Sequence, residues 1–86
     1  MHEMSIALEV CRLVEERLGS EGVHKLVAVG VTVGDEAGVE PENLTFWLEA
    51  LLAEAPFRGA APRVIREPGD ALHLSYLEVD DGRQND

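Results

Sequence analysis

Apolar residues in this chain repeat with a helical period on both sides of one alternating segment. Residues 26–33 read Leu-Val-Ala-Val-Gly-Val-Thr-Val, with valines on one face and small side chains on the other, as in a β-strand. The segments 3–18 and 41–54 carry apolar residues three or four positions apart, which predicts two amphipathic helices. The apolar positions of these helices are Ile6, Ala7, Val10, Cys11, Leu13, Val14 and Leu18 in the first, and Leu44, Trp47, Leu48, Leu51 and Leu52 in the second.

Two further short strands complete the predicted fold. They cover residues 63–67 and 71–79, and the turn signal Pro-Gly-Asp at 68–70 between them predicts a tight hairpin. The element order is then α-β-α-β-β. Two amphipathic helices need one apolar sheet face to cover, which predicts an α+β fold, a two-layer sandwich of two helices on a three-stranded sheet. We expect the small face of the first strand to be exposed to solvent, with close approach of a partner as the alternative.

The chain is strongly acidic, with 17 Asp and Glu residues against 7 Lys and Arg residues and a net charge of −10. Such a surface repels phosphates, so we expect no nucleic-acid binding. It would attract cations or a basic partner, although solubility alone is the plainer interpretation. A length of 86 residues predicts one small domain, which we place at 1–79, followed by an acidic C-terminal tail at 80–86. The pattern gives no indication of oligomeric state.

Cys11 is the one cysteine of the chain, so neither an internal disulfide nor a zinc site built from CxxC pairs can form. It lies among the apolar positions of the first helix, which favours a buried hydrophobic residue over a nucleophile. No apolar run approaches the about 18 residues of a membrane span. Glu3 and Glu9 interrupt any secretion signal at the N-terminus. We therefore expect a cytoplasmic protein without membrane association.

The first three residues, Met1-His2-Glu3, can form a chelating group. The terminal amine of Met1, the backbone nitrogen of His2 and its imidazole lie within reach of one metal ion. Three nitrogen donors in a near-plane suit Ni(II) or Cu(II), and Glu3 adds a carboxylate. The plainer interpretation is a loose chain end.

The other polar candidates do not predict an enzyme. His24 and His73 have no neighbour at metal-ligand spacing. We expect His24 in a solvated turn and His73 at the surface or half-buried. Asp35 and Glu36 form a carboxylate pair, but nothing nearby in the sequence supplies a nucleophile or an oxyanion donor. The glycines at 30 and 34 are not followed by the lysine that a phosphate-binding loop requires.

Six short motifs follow one another along the chain. They are Met1-His2-Glu3-Met4-Ser5, Val33-Gly34, Ala37-Gly38-Val39, Pro41-Glu42-Asn43-Leu44 with Phe46, Pro68-Gly69 and Leu77-Glu78-Val79. Together they resemble the HypA/HybF family, nickel metallochaperones for the maturation of nickel-iron hydrogenase and, in some organisms, urease. The resemblance implies a nickel carrier with a maturation GTPase and a hydrogenase large subunit as partners.

By this resemblance, His2 and Glu3 match nickel-binding residues, and Glu40 matches an acidic residue in the loop before the second helix. The implied Ni(II) site is then Met1, His2, Glu3 and Glu40. Glu40 could reach it if the loop folds over the first helix. Its charge could instead favour the N-terminus of the second helix.

The chain departs from the family at one place. Family members carry a zinc-binding insert with two CxxC pairs between the last two strands, where this chain has Pro68-Gly69-Asp70-Ala71. The zinc domain is therefore absent and no zinc is expected. This leaves an alternative function, a zinc-less relative that acts as a protein-interaction or regulatory module. The small strand face, Leu8 and Phe46 would then be its contact candidates.

Overall fold

A computed structural model describes residues 2–80 of the chain, and within them the predicted fold class is confirmed. Met1 and most of the predicted tail, 81–86, lie outside the described residues. The elements are α1 (Glu3–Gly22), a 3₁₀ turn (Val23–Lys25), β1 (Leu26–Gly34), α2 (Pro41–Leu52), β2 (Ala61–Glu67) and β3 (Leu72–Val79). Neither of the two helices is long and apolar enough to cross a membrane.

The sheet has the order β2-β1-β3, with β2 parallel and β3 antiparallel to the central strand. The predicted hairpin between the last two strands is therefore wrong. The helix α2 carries the chain back to the starting end of β1, so that β2 runs parallel to it. The connection 68–71 then crosses over the end of β1 to begin β3. Backbone N–H groups of Gly34, Asp35 and Glu36 donate to the carbonyls of Ala71, Glu67 and Gly69, at 2.6, 2.8 and 2.7 Å.

The two helices pack on one face of the sheet and enclose the hydrophobic core. The central contribution of β1 is Val29, Val31 and Val33, all buried. The helical positions follow the predicted arcs, since the buried residues are Ile6, Ala7, Val10, Cys11 and Val14 on α1 and Leu44, Leu48 and Leu52 on α2. The regular part of α1 ends at Gly19, whose φ of 74° breaks the helix directly after the predicted segment 3–18.

The expectation that the small face of β1 is exposed to solvent is wrong. Gly30 and Thr32 are buried on that face because β3 covers them. A Cβ added to Gly30 would lie 2.1 Å from Cε2 of Tyr76, so the aromatic ring rests directly on the glycine. The hydroxyl of Thr32 contacts the hydroxyl of Ser75. The glycine at position 30 therefore allows Tyr76 of the same chain to pack closely against β1.

An irregularity in β3 produces this cover. Val31 pairs with Leu74 while Gly30 pairs with Tyr76, so Ser75 is an extra residue in the ladder. Strict alternation would place Tyr76 on the same face as Leu74. With the bulge, Leu74 packs against the core and Tyr76 lies on the opposite face.

Candidate metal site

The N-termini of the two helices lie side by side, and His2, Glu3 and Glu40 of the predicted metal-binding set are at this junction. Met1, the fourth member, lies outside the described residues. His2 is the N-cap residue of α1, with an extended backbone (φ −87°, ψ 130°). Its carbonyl accepts the Ile6 N–H at 3.2 Å. Glu40 is the N-cap residue of α2 and is followed by Pro41, which suits the first helical position.

Glu3 joins the two helix starts. Its Oε2 accepts the backbone N–H of Glu40 at 3.0 Å. Its Oε1 accepts the side-chain amide of Asn43 at 2.9 Å. One carboxylate of α1 thus bonds to the N-cap and to the first turn of α2, and the loop before α2 is drawn against the start of α1.

These contacts favour the ionised form of Glu3. The backbone N–H of Glu40 lowers the pKa of the Glu3 carboxyl most, followed by the Asn43 amide and then by the N–H of Glu3 itself. Each donor stabilises the negative charge but not the neutral acid. The positive ends of two helix dipoles add to the same effect. Glu3 is therefore a carboxylate at neutral pH.

The loop that carries Glu40 folds over the first turn of α1, which is the condition under which Glu40 could approach the start of that helix. Contact with Glu3 is through its backbone N–H. Its own carboxylate oxygen Oε1 accepts the N–H of Glu42 at 3.1 Å and so caps α2. This contact directly supports the interpretation that Glu40 favours the start of α2.

The remaining histidines lie elsewhere. His24 is in the 3₁₀ turn at the opposite end of α1, and His73 is on β3, both exposed. Asp35 lies 3.6 Å from an Arg66 nitrogen in an exposed ion pair. Between residues 2 and 80, no three His, Cys, Asp or Glu side chains are grouped so that they could hold a metal ion. Because the amine in the predicted donor set belongs to Met1, that set stays a prediction.

Sequence reasoning did not assign a role to Asn43. The one available signal is its position three residues after the N-cap Glu40, where a capping box usually places Glu or Gln to accept the N-cap N–H. Here Glu3 provides that acceptor from another helix. The contacts join residues 37 and 40 positions apart, which spacing along the chain does not reveal.

Comparisons with known proteins identify the family. The sequence model of the HypA family, described as a metallochaperone of hydrogenase/urease nickel incorporation, matches residues 1–72. The hydrogenase maturation factor HypA of Albidiferax ferrireducens is 34% identical over 79 residues, which cover 92% of this chain and 70% of that protein. That of Chlorobaculum parvum is 42% identical over 60 residues, 70% of this chain and 53% of that protein. The chain thus spans between about half and 70% of the length of these relatives.

A solved structure shares the fold of this chain. The solution structure of the Ni metallochaperone HypA from Helicobacter pylori superposes with a TM-score of 0.67 over 98% of this chain and 91% of that chain. At 18% identity this likeness shows a common fold. The family match and the relatives show more: this chain belongs to the HypA family of nickel-incorporation metallochaperones of hydrogenase maturation, which are not enzymes.

Proposed function

We propose that this chain binds one Ni(II) ion at its N-terminus and delivers it to a hydrogenase, or a urease, under maturation. The donors are the amine of Met1 and the amide nitrogen and imidazole of His2. A carboxylate from Glu3 or Glu40 completes the set. Three nitrogens and one oxygen in a plane are a donor set that Ni(II) favours.

The observation that carries this proposal is that His2 is an N-cap residue whose side chain does not cap its helix. An N-cap position usually holds Ser, Thr, Asp or Asn, whose side chain caps the first helical turn. His2 occupies it with an exposed side chain that makes no capping hydrogen bond. Its backbone is extended, so the residue stands just outside the helix. A histidine at this position contributes little to the helix, which supports a role in binding.

Metal binding through the His2 amide has a chemical consequence. The amide nitrogen must lose its proton, and the amine and imidazole must be neutral, before they can bind. Nickel affinity should therefore rise with pH, and uptake should release protons. Neighbouring carboxylates at the start of α1 and α2 favour the approach of a cation.

We also propose the partners and location that the family resemblance implies. These are a maturation GTPase, a hydrogenase large subunit as the client, and the cytoplasm. Burial raises the pKa of the Cys11 thiol to about 11, so this thiol is unreactive. With the single cysteine in the core, a zinc-independent carrier is the form of the function that fits this chain.

A second function, an interaction module without nickel transfer, is favoured by two exposed apolar side chains. Phe46 is 60% exposed and packs edge-on against Trp47, and Leu8 is 50% exposed. The small face of β1 no longer belongs to this argument, because Tyr76 covers it. Nickel binding decides between the two functions.

The test is a calorimetric titration with Ni(II) of the untagged chain that begins with Met1. We expect one nickel per chain, with an affinity that rises with pH. His2→Ala should abolish this binding, and so should a Gly-Ser extension before Met1, which turns the amine into an amide. His24→Ala is the matched control, because it removes an exposed histidine at the other end of α1, and it should bind as the unchanged protein does. Equal binding by His2→Ala and the unchanged chain would refute the site.

A further inference from the structure

The Glu3 carboxylate already accepts two hydrogen bonds, one on each oxygen. The donors are the Glu40 backbone N–H at 3.0 Å and the Asn43 amide at 2.9 Å. An ionised carboxylate offers about four lone-pair positions, so some remain, but both bonds come from the start of α2 and fix the carboxylate toward that helix. A metal ion at this carboxylate would compete with donors that fix it on both oxygens. Glu3 is therefore poorly placed to serve as a ligand through its side chain.

The same contacts resemble a capping box divided between two helices. In a capping box, one side chain accepts an N–H further along its helix, and a Glu or Gln reaches back to the N-cap N–H. Here Glu40 accepts the N–H of Glu42 at 3.1 Å, while Glu3 of α1 accepts the N–H of Glu40. Removing Glu3 would leave the N-cap N–H of α2 without this acceptor. The arrangement thus stabilises α2 only when α1 begins beside it.

The Asn43 amide fixes the direction of this carboxylate. A backbone N–H alone holds one oxygen of Glu3 and leaves the group free to rotate. The second bond, from Asn43 Nδ2 to the other oxygen, removes that freedom. Since Glu3 directly follows His2, fixing Glu3 limits where the backbone of His2, and with it the peptide nitrogen, can lie.

We propose that Asn43 is a positioning residue of the nickel site: it holds Glu3 as a clamp between the two helix starts, and Glu3 orients His2 instead of binding the metal. This inference rests on the proposed nickel site at Met1 and His2. It leaves Glu40 as the carboxylate that would complete the donor set, since its capping bond uses one of its two oxygens. Neighbours that orient a ligand typically change metal affinity by 10- to 100-fold when they are removed.

The experiment compares Glu3→Gln, Asn43→Ala, Asn43→Asp and the double variant Glu3→Gln/Asn43→Ala. Nickel affinity is measured by competition with a chelator, and the absorption spectrum is recorded at saturation. Asn43→Asp has the same shape as Asn43 but places a second carboxylate against Glu3, so it should weaken binding more than Asn43→Ala. Glu49→Gln is the control, because it removes an exposed charge further along α2.

We expect Glu3→Gln and Asn43→Ala each to weaken nickel binding by about ten-fold, with the double variant no weaker than the single ones. The absorption spectrum at saturation should be unchanged in all of them, because the donor set is the same. A changed spectrum in Glu3→Gln together with unaltered affinity in Asn43→Ala would overturn the proposal and make Glu3 a ligand. Additive losses in the double variant would also overturn it.

A readout without nickel separates this inference from the proposed function. In the metal-free protein, the amide proton resonance of Glu40 should shift in both Glu3→Gln and Asn43→Asp, and Glu49→Gln should leave it in place. If that resonance is unaffected, the clamp is refuted whatever the nickel result. If it shifts but the unchanged chain takes up no nickel, the nickel site fails and the proposed positioning role fails with it, while the contact between the helices remains.

Discussion

Two glycines on the same face of β1 should respond very differently to the same substitution. In Gly34→Ala, the new Cβ would lie 2.2 Å from the carbonyl oxygen of Gly69 and 2.6 Å from the backbone nitrogen of Ala71. In Gly30→Ala, it would lie 2.1 Å from Cε2 of Tyr76. The first neighbour is the backbone of the connection that crosses over β1, and the second is a side chain that can turn away.

The expected magnitudes follow from what has to move. Turning the Tyr76 ring away from position 30 should cost about 1–3 kcal/mol, the usual range for an overpacked site. Alanine recovers roughly 0.5–1 kcal/mol of that through lower backbone entropy in the unfolded chain. Gly34→Ala instead displaces the crossing connection, which together with the adjoining Glu67 of β2 accepts the N–H groups of residues 34, 35 and 36. At about 1 kcal/mol for each bond, the loss is about 3 kcal/mol before any strain is added.

Thermal and urea unfolding followed by circular dichroism would measure both changes. A difference of about 2 kcal/mol between the variants corresponds to roughly 10 °C in Tm for a domain of this size. In a Tyr76→Ala background, Gly30→Ala should cost almost nothing, while Gly34→Ala keeps its full effect. Equal stability of the two alanine variants, or no relief of Gly30→Ala by Tyr76→Ala, would show that the crossing connection and the ring do not pack as described.

Two further predictions concern the helices. Burial raises the pKa of the Cys11 thiol to about 11, from 9.0, so it should resist alkylation near pH 8 until the protein is denatured. Because the unfolded chain loses the thiol proton more readily, stability should fall as the pH rises through 9 towards 11, and a Cys11→Ala variant should lack that fall. Leu48→Ala, at a fully buried position, should cost about 2–5 kcal/mol, whereas Phe46→Ala, at an exposed one, should cost less than about 1 kcal/mol. Urea unfolding of Leu48→Ala and Phe46→Ala measures this difference. Equal losses of stability in the two variants would contradict the assignment of Phe46 to the surface.

The sequence predicted the helices well because each needs only one buried face. The spacing of Leu44, Leu48 and Leu52 is a local property, and the fold buries all three. Strand pairing is different, because a turn signal such as Pro68-Gly69-Asp70 shows that the chain bends but not which strand it pairs with next. Here both outer strands pair with β1, and α2 determines the direction in which β2 runs. The bulge at Ser75, which turns Tyr76 onto Gly30, likewise depends on the packing of the two strands together.

The candidate site shows the same division between local and distant information. His2 and Glu3 could be named as candidates because the chelating pattern lies in adjacent residues. The contribution of Asn43 could not, because its contact with Glu3 spans 40 positions and requires both helices to be in place. From the sequence, Glu40 could approach the start of α1 if its loop folded over that helix. The loop does so, and the backbone N–H of Glu40 donates to Glu3.

The position of Glu3 also suits the task of a carrier, which must release its metal as well as bind it. The regular fold begins at Glu3, where a carboxylate is fixed between the two helices. The proposed nitrogen donors belong to Met1 and His2, which precede the first helical turn. In the proposed site, binding and release of the ion would not require the core to open, because the buried face of α1 begins only at Ile6. An anchor placed directly after the donors limits where they can go, and this should favour binding without preventing transfer to a client.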